Sequence, residues 1–374
     1  MAELDKVFKA GVSNKASDIH ISPGEPFILR RFGKLIKLKS KPVSADLSRR
    51  LILELLNEEQ RKILEQDLQL DFSYEIEALG RFRGSAMMHQ NGLSAAFRII
   101  PPKIPTLESL GLPETATKVL DHHQGLILVT GATGQGKTTT LASMVNYINE
   151  NRAHHVLTVE DPVEFVHPLK KGVVNQRQIG NDTLSYANSL KAALREDPDV
   201  IMIGELRDLE TISLAIAAAE TGHLVLGTLS TTNAPKTVDR VIDSFPPGDQ
   251  AQIRNTLSET LQAVVTQRLI PGISGDGMEL AYEILVGTPP VASLIRDGKV
   301  YQIPNQMRTG KKLGMCLMDE SLLHLVKEER ISVEDAVQVA ENPAAIRQAA
   351  GGPQQKTKTG EGGEATDSSI RKKS

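Results

Sequence analysis

One short stretch of this chain has the composition of a phosphate-binding loop. Gly131-Ala132-Thr133-Gly134-Gln135-Gly136-Lys137-Thr138 fits the pattern G-x-x-x-x-G-K-[ST] without a mismatch. In that pattern the glycines let backbone N–H groups close around phosphates, the lysine reaches the β- and γ-phosphates, and the final hydroxyl holds Mg²⁺. The candidate phosphate-binding set is Gly131, Thr133, Gly134, Gln135, Gly136, Lys137, Thr138 and the adjoining Thr139. ATP and Mg²⁺ are the cofactors that such a loop implies. A Gly-rich turn before a helix is the alternative reading, and the flanking elements decide between the two. Leu126-Ile127-Leu128-Val129 reads as a buried strand, and Leu141, Met144, Val145 and Ile148 follow at i, i+3, i+4 and i+7 as on a helix. Strand, loop and helix are the context the motif requires.

Hydrolysis also needs a group that holds water or metal. Asp199-Val200-Ile201-Met202-Ile203-Gly204-Glu205 reads as an apolar strand with a carboxylate at each end. Ligands of open α/β sheets lie beyond the carboxyl ends of the strands. Asp199 would sit roughly 20 Å from that end at about 3.3 Å per residue, so Glu205 is the candidate for water or Mg²⁺. Thr158-Val159-Glu160-Asp161-Pro162-Val163-Glu164 repeats the arrangement on a neighbouring strand. Glu160 could hold Mg²⁺ or the attacking water, directly or through another group, or belong to a loop-start carboxylate cluster. Thr138, Glu160 and Glu205 form the candidate metal set. His223 opens a further apolar segment, where a structural and a site role both remain open. Phosphoryl transfer also uses cations that neutralise transition-state charge. Arg81, Arg83 and Arg98, on strand-like segments, are candidate arginine fingers or ordinary surface arginines.

The elements that must position these residues fall into blocks. Residues 1–100 mix helix-like and strand-like patterns, with a charged helical stretch from Leu47 to Leu64 and strands near Phe27–Leu29 and Ala95–Ile100. Pro101-Pro102-Lys103-Ile104-Pro105 opens a stiff linker, taken as 101–115. From 116 to 350 strand-then-helix repeats predict an α/β parallel sheet. Strands are expected near 126–130, 155–159, 200–203 and 224–229, with helices at Leu184–Arg195 and Leu209–Glu220. A long helix is expected from about Gln250 to Gln267, followed by a helical region to Ala350. Residues 351–374 are nearly devoid of large apolar side chains and read as a disordered tail, with a basic binding tail at Arg371-Lys372-Lys373 as the other reading.

Composition narrows the function classes. The chain has 374 residues, 40% of them hydrophobic, and a net charge of −3, so neither a polyanion nor an anionic surface is favoured by overall charge. Basic stretches interleaved with aromatics are missing, which argues against a nucleic-acid translocase. One cysteine, Cys316, excludes a disulfide framework and a Cys-rich zinc site. No signal peptide or membrane-spanning run is seen, and a cytoplasmic protein is expected.

Together these motifs resemble the type IV pilus retraction ATPases of the PilT class, within the type II/IV secretion ATPase superfamily. The markers are Ala16-Ser17-Asp18-Ile19-His20, the Gly131–Thr138 loop, Thr158–Glu164, Gly204-Glu205-Leu206-Arg207-Asp208 and Thr221-Gly222-His223-Leu224. They continue through Lys236–Arg240, Leu294–Lys299, Gly314-Met315 and Met318-Asp319. The resemblance implies a PAS-like α+β N-terminal domain joined to a RecA-like P-loop ATPase domain with a helical C-terminal region. It also implies a homo-hexameric motor with nucleotide between the two domains, reached by N-terminal-domain arginines. That motor would be docked peripherally at the inner-membrane pilus base on a platform protein, with paralogous pilus ATPases as further partners. An accessory paralogue with weak turnover, or a pilus-assembly or secretion ATPase, is the alternative. The chain departs from the family pattern at three places: Ser230 replaces a histidine, Asn91 an arginine, and Ala292 the first arginine of the retraction-associated motif.

Overall fold

The computed structural model describes residues 4–77, 79–275 and 277–350; the expected disordered tail lies outside the described residues. The N-terminal part comprises α1 (Asp5–Ser13), β1 (Asp18–Ile21), β2 (Ile28–Arg31), β3 (Lys34–Lys37), α2 (Ala45–Glu54), α3 (Glu58–Asp67), β4 (Gln69–Ile76), β5 (Gly80–His89) and β6 (Gly92–Ile100). Its six strands form one sheet in the order β3-β2-β1-β6-β5-β4, every pair antiparallel. Four buried phenylalanines organise the core. Phe8 from α1 lies 4.5 Å from Phe82 and 4.9 Å from Phe97, centroid to centroid, and Phe97 meets Phe72 edge-on. The single helical stretch expected over Leu47–Leu64 is two helices. Asn57 starts the second with a capping box, its side chain accepting from the Gln60 N–H while the Gln60 side chain accepts from the Asn57 N–H.

No helix or strand lies between Ile100 and Thr115. Leu107 and Leu112, inside the expected linker, are already buried in the core of the second part.

That second part contains α4 (Thr115–Lys118), β7 (Gly125–Thr130), α5 (Lys137–Asn151), β8 (His155–Glu160), β9 (Val173–Gln178), α6 (Tyr186–Ala193), β10 (Val200–Ile203), α7 (Leu209–Glu220), β11 (Leu224–Leu229), α8 (Ala234–Asp243) and α9 (Gln250–Thr260). It continues with β12 (Leu261–Pro271), β13 (Met278–Val286), α10 (Pro289–Arg296), α11 (Ile303–Thr309), α12 (Met318–Lys327), α13 (Val333–Val339) and α14 (Pro343–Ala349). The sheet order is β13-β12-β7-β11-β10-β8-β9, parallel from β12 to β9, with β13 antiparallel. Leu141, Met144, Val145 and Ile148 of α5 are fully buried on one face, as their spacing requires. Ile212, Ala215, Ile216 and Ala219 of α7 are buried in the core on the other.

The expected helix from Gln250 to Gln267 is corrected. It ends at Thr260, and the chain passes directly into β12, with no glycine or proline to mark the change. Leu261 to Thr266 is drawn into the sheet because it pairs in parallel with β7, Val265 opposite Val129 and Thr266 opposite Thr130. The antiparallel partner β13 and the edge strand β9 were likewise not anticipated.

β12 matters because it braces the phosphate loop. The Thr130 and Thr266 hydroxyls share a 2.8 Å hydrogen bond. The Gln267 side-chain N–H donates to the Gln135 carbonyl at 2.7 Å, and the Leu269 N–H donates to the Gln135 side-chain oxygen at 2.6 Å. Gly131, at φ +147°, leaves no room against this strand: a Cβ there would lie 2.6 Å from the Gln267 carbonyl oxygen. Gly131→Ala is therefore expected to cost about 1–3 kcal/mol of stability. It should lower the thermal midpoint by several degrees and weaken ATP binding in calorimetry; an unchanged midpoint would contradict this brace.

Candidate nucleotide-binding site

The loop between β7 and α5 opens at the carboxyl end of the parallel strands. Gly136 takes φ +83°, the left-handed turn that lets α5 start at Lys137 with its first N–H groups facing outward. The Lys137 ammonium donates to the Gly131 and Ala132 carbonyls at 2.8 and 3.0 Å. Burial lowers its pKa while the Glu205 carboxylate pulls it back up. Thr138 and Thr139 occupy the first turn, half-buried and facing the same cavity. The side-chain oxygen of Gln135 is engaged by the Leu269 N–H of β12.

Three further strand ends converge here. Ile203 pairs with Val159 on one side and Gly227 on the other, which brings Glu160, Glu205 and Ser230 to neighbouring exits of the sheet. Glu205 is paired with Arg207 at 2.7 Å and accepts from the Ser230 hydroxyl at 3.4 Å. Glu160 is 5% exposed. Its Oε1 accepts from the Thr158 hydroxyl at 2.6 Å and from the Gln176 amide at 3.1 Å, and the Glu164 backbone N–H also acts on the carboxylate. Burial raises its pKa, these two hydrogen bonds oppose the rise, and the Glu164 charge adds to it. Asp199 lies at the far end of β10, accepting from the His155 N–H, as its position in the strand predicts.

The N-terminal sheet closes the cavity from above. Arg81 and Arg83 alternate on β5, so both face the acidic segment after β8. Arg81 donates to the Val163 carbonyl at 3.2 Å, and Arg83 pairs with the buried Glu164 at 3.1 Å. Arg98, opposite Arg83 in the sheet, donates to Asp18 at 3.1 Å. Between the two domains lies a cavity of about 880 Å³ lined by Arg83, Arg98, Lys137, Glu160, Glu205 and Ser230, among others. Arg81 is held outside that lining.

His223 is not brought to this site within the chain. It precedes β11 at the amino end, its Nδ1 beside the Ala218 carbonyl at 3.0 Å. The strand then carries the chain roughly 20 Å to Ser230. Two cavity residues escaped the sequence reading. Arg207 lies inside a quoted marker, and its pairing with Glu205 needed only the i, i+2 spacing of the two. Tyr186 carries no sequence signal; its phenol is partly buried, which raises its pKa, with the Asp161 charge adding to the effect. Of the three departures, Ser230 touches the site. Asn91 lies in the β5–β6 turn and Ala292 on α10, and neither lines the cavity.

A sequence profile of the type II/IV secretion system protein family matches residues 1–358. The chain is 48% identical over 341 residues to the type IV pilus retraction ATPase PilT of Pseudomonas aeruginosa, covering 91% of this chain and 99% of that protein. It is 47% identical over 315 residues to a twitching motility protein of Neisseria gonorrhoeae, covering 84% of each. The fold is similar to a crystal structure of the pilus retraction motor PilT with bound ADP, at 42% identity and a TM-score of 0.83, covering 93% of this chain and 99% of that one. Near-full-length similarity at this level, joined to a phosphate loop seated at the strand ends that the motif demands, makes this chain a PilT-class member of the type II/IV secretion system ATPase family.

Proposed function

We propose that this ATPase is a ring motor that retracts type IV pili. The observation that carries the reading is the two-domain cavity, with the phosphate loop on one wall and Arg83 of β5 and Arg98 of β6 on the other. Nucleotide bound there would touch both domains, so a change at its phosphates changes their mutual position.

The residues divide the work as follows. The loop N–H groups and the start of α5 hold the phosphates. Lys137 exchanges the Gly131 and Ala132 carbonyls for phosphate oxygens. The Thr138 hydroxyl and the carboxylates of Glu160 and Glu205 are hard oxygen donors that suit Mg²⁺, which, when bound, would neutralise phosphate charge. Among the described residues no cluster of three His, Cys, Asp or Glu side chains can hold a metal alone. Phosphate oxygens and water would complete the shell, as is usual for this ion. Glu205 orients the attacking water and takes its proton, with Ser230 and Arg207 fixing the carboxylate. Arg83, and Arg98 after release from Asp18, would meet developing charge on the γ-phosphate, in their own cleft or in that of a neighbouring copy.

Six copies in a ring would pass this motion to a platform protein at the inner membrane, from the cytoplasmic side. No helix among the described residues is long and apolar enough to cross a membrane, and the docking is read as peripheral. A second reading has one specific support: Ser230 replaces a histidine beside Glu205, and serine cannot carry the imidazole's charge. A slower subunit working with a paralogous ATPase would follow from that.

Four measurements test these readings. Lys137→Ala should weaken ATP binding at least about tenfold, the loss of one charge-assisted contact, by calorimetry. Glu205→Gln should keep binding and reduce Mg²⁺-dependent turnover by about a hundredfold or more; wild-type turnover no higher than this variant's would refute the motor. Ser230→His should raise kcat if the departure slows the site, and an unchanged or lower kcat would remove support for the slow-subunit reading. In a strain lacking its own retraction motor, the wild-type chain should restore pilus shortening.

A further inference from the structure

The mechanism leaves one deeply buried acid unused. Glu283 on β13 is 1% exposed. Its Oε1 accepts from the Ala234 N–H at 2.7 Å and its Oε2 from the Met318 N–H at 3.4 Å. Ala234 and Met318 are the first residues of α8 and α12. One carboxyl therefore spans the N-termini of two helices that are far apart in sequence, each offering otherwise unpaired N–H groups.

The helix on one side leads straight back to the catalytic centre. Three residues separate Ala234 from Ser230, whose hydroxyl meets Glu205. The intervening segment is tightly tied: the Thr231 and Thr237 hydroxyls share a 2.7 Å bond, and Asn233 caps α8 through the Lys236 N–H. The helix on the other side leads into the C-terminal helices. Next to Met318, Asp319 accepts from the Glu341 and Asn342 N–H groups at 2.8 Å each, holding the start of α14. The Asn233 amide closes the circuit by donating to Glu341 at 2.6 Å.

We propose that Glu283 is a positioning residue for the ATPase, a latch through which the segment after Ser230 moves the C-terminal helices α12–α14. The proposal rests on the ATPase reading for its input. The latch itself is a property of the fold and can be measured without turnover.

The latch is also sensitive to protons. Burial is the main cause that raises the Glu283 carboxyl to about 7, the Glu341 and Asp319 charges add to the rise, and the two helix N–H groups oppose it. Other titratable groups around the joint are the Cys316 thiol before α12, pushed up to about 11 mainly by burial, and Glu320, which is paired with Lys311 at 2.5 Å. The sign follows from linkage. A carboxyl whose folded pKa is raised contributes stability below its unfolded value, and that contribution is lost as pH rises through about 7. Above that pH, any opening that lets water reach Glu283 is favoured, and the first contact to yield is the longer one, to Met318. Glu283→Gln cannot titrate; its amide oxygen keeps one acceptor for a helix N–H, while its NH2 group cannot accept from the other.

The test compares full-length wild type with Glu283→Gln at about pH 6 and about pH 8.5. Wild type should lose several degrees of thermal midpoint between the two, and the variant clearly less. Hydrogen exchange of the 318–327 segment in wild type alone, corrected for intrinsic rates, should show at least threefold weaker protection at the higher pH. That arm stands even if the variant fails to fold. In turnover, the variant should keep its KM for ATP within twofold while its kcat loses the inflection near neutral pH. Equal midpoint losses, equal protection at both pH values, or an inflection that survives in the variant would each overturn the latch. Absence of wild-type turnover above Glu205→Gln would instead overturn the ATPase reading, and leave midpoint and exchange to judge the latch.

Discussion

The ion pair between Arg83 and Glu164 is where the two domains grip each other beside the nucleotide site. Its strength sets what the rest of the structure can do. Glu164 is buried and Arg83 is partly open to solvent, with Asp71 of its own sheet at 3.8 Å as a second partner. A charge-assisted bond in that half-wet setting is worth on the order of 1 kcal/mol. That is enough to orient the N-terminal sheet over the phosphate loop and too little to lock it there. The second partner gives Arg83 somewhere to go when the cleft changes shape. The ATPase sheet is the opposite case. Its strand ends are fixed by register and by a close-packed core on both faces, which holds Glu160, Glu205 and Ser230 in fixed relative positions.

Much of this was legible in the sequence because the site uses local signals. The phosphate loop declares itself by glycine spacing, α5 by its apolar stripe, and Glu205 by its place at the end of an apolar strand. Sequence failed where an element is defined by its neighbours. Leu261 to Thr266 follows a helix without a break and is buried on both faces, so neither composition nor periodicity separates helix from strand there; pairing with β7 decides it. The same applies to β13. His223 shows a related failure: a residue can sit in a family marker and still occupy the wrong end of its strand for the site in its own chain. For Gln135 the motif says nothing of the side chain, whose oxygen accepts from the Leu269 N–H of β12.

The C-terminal third gains a role from this arrangement. Ser230 beside Glu205, the capped start of α8, and the buried carboxyl of Glu283 form one continuous set of contacts leading to α12 and α14. Ser230 lies at the first link of that chain of contacts, whereas Asn91 and Ala292 lie outside the cavity.

The central claim is that nucleotide is held between two domains whose separation it controls. The most direct measurement is the distance between dyes on introduced cysteines, one on the N-terminal sheet and one on α7, in full-length protein with Cys316 replaced. The account predicts distinct distances with ADP and with a non-hydrolysable ATP analogue, and convergence of the two when Arg83 is replaced by alanine. A single distance under both nucleotides would contradict it.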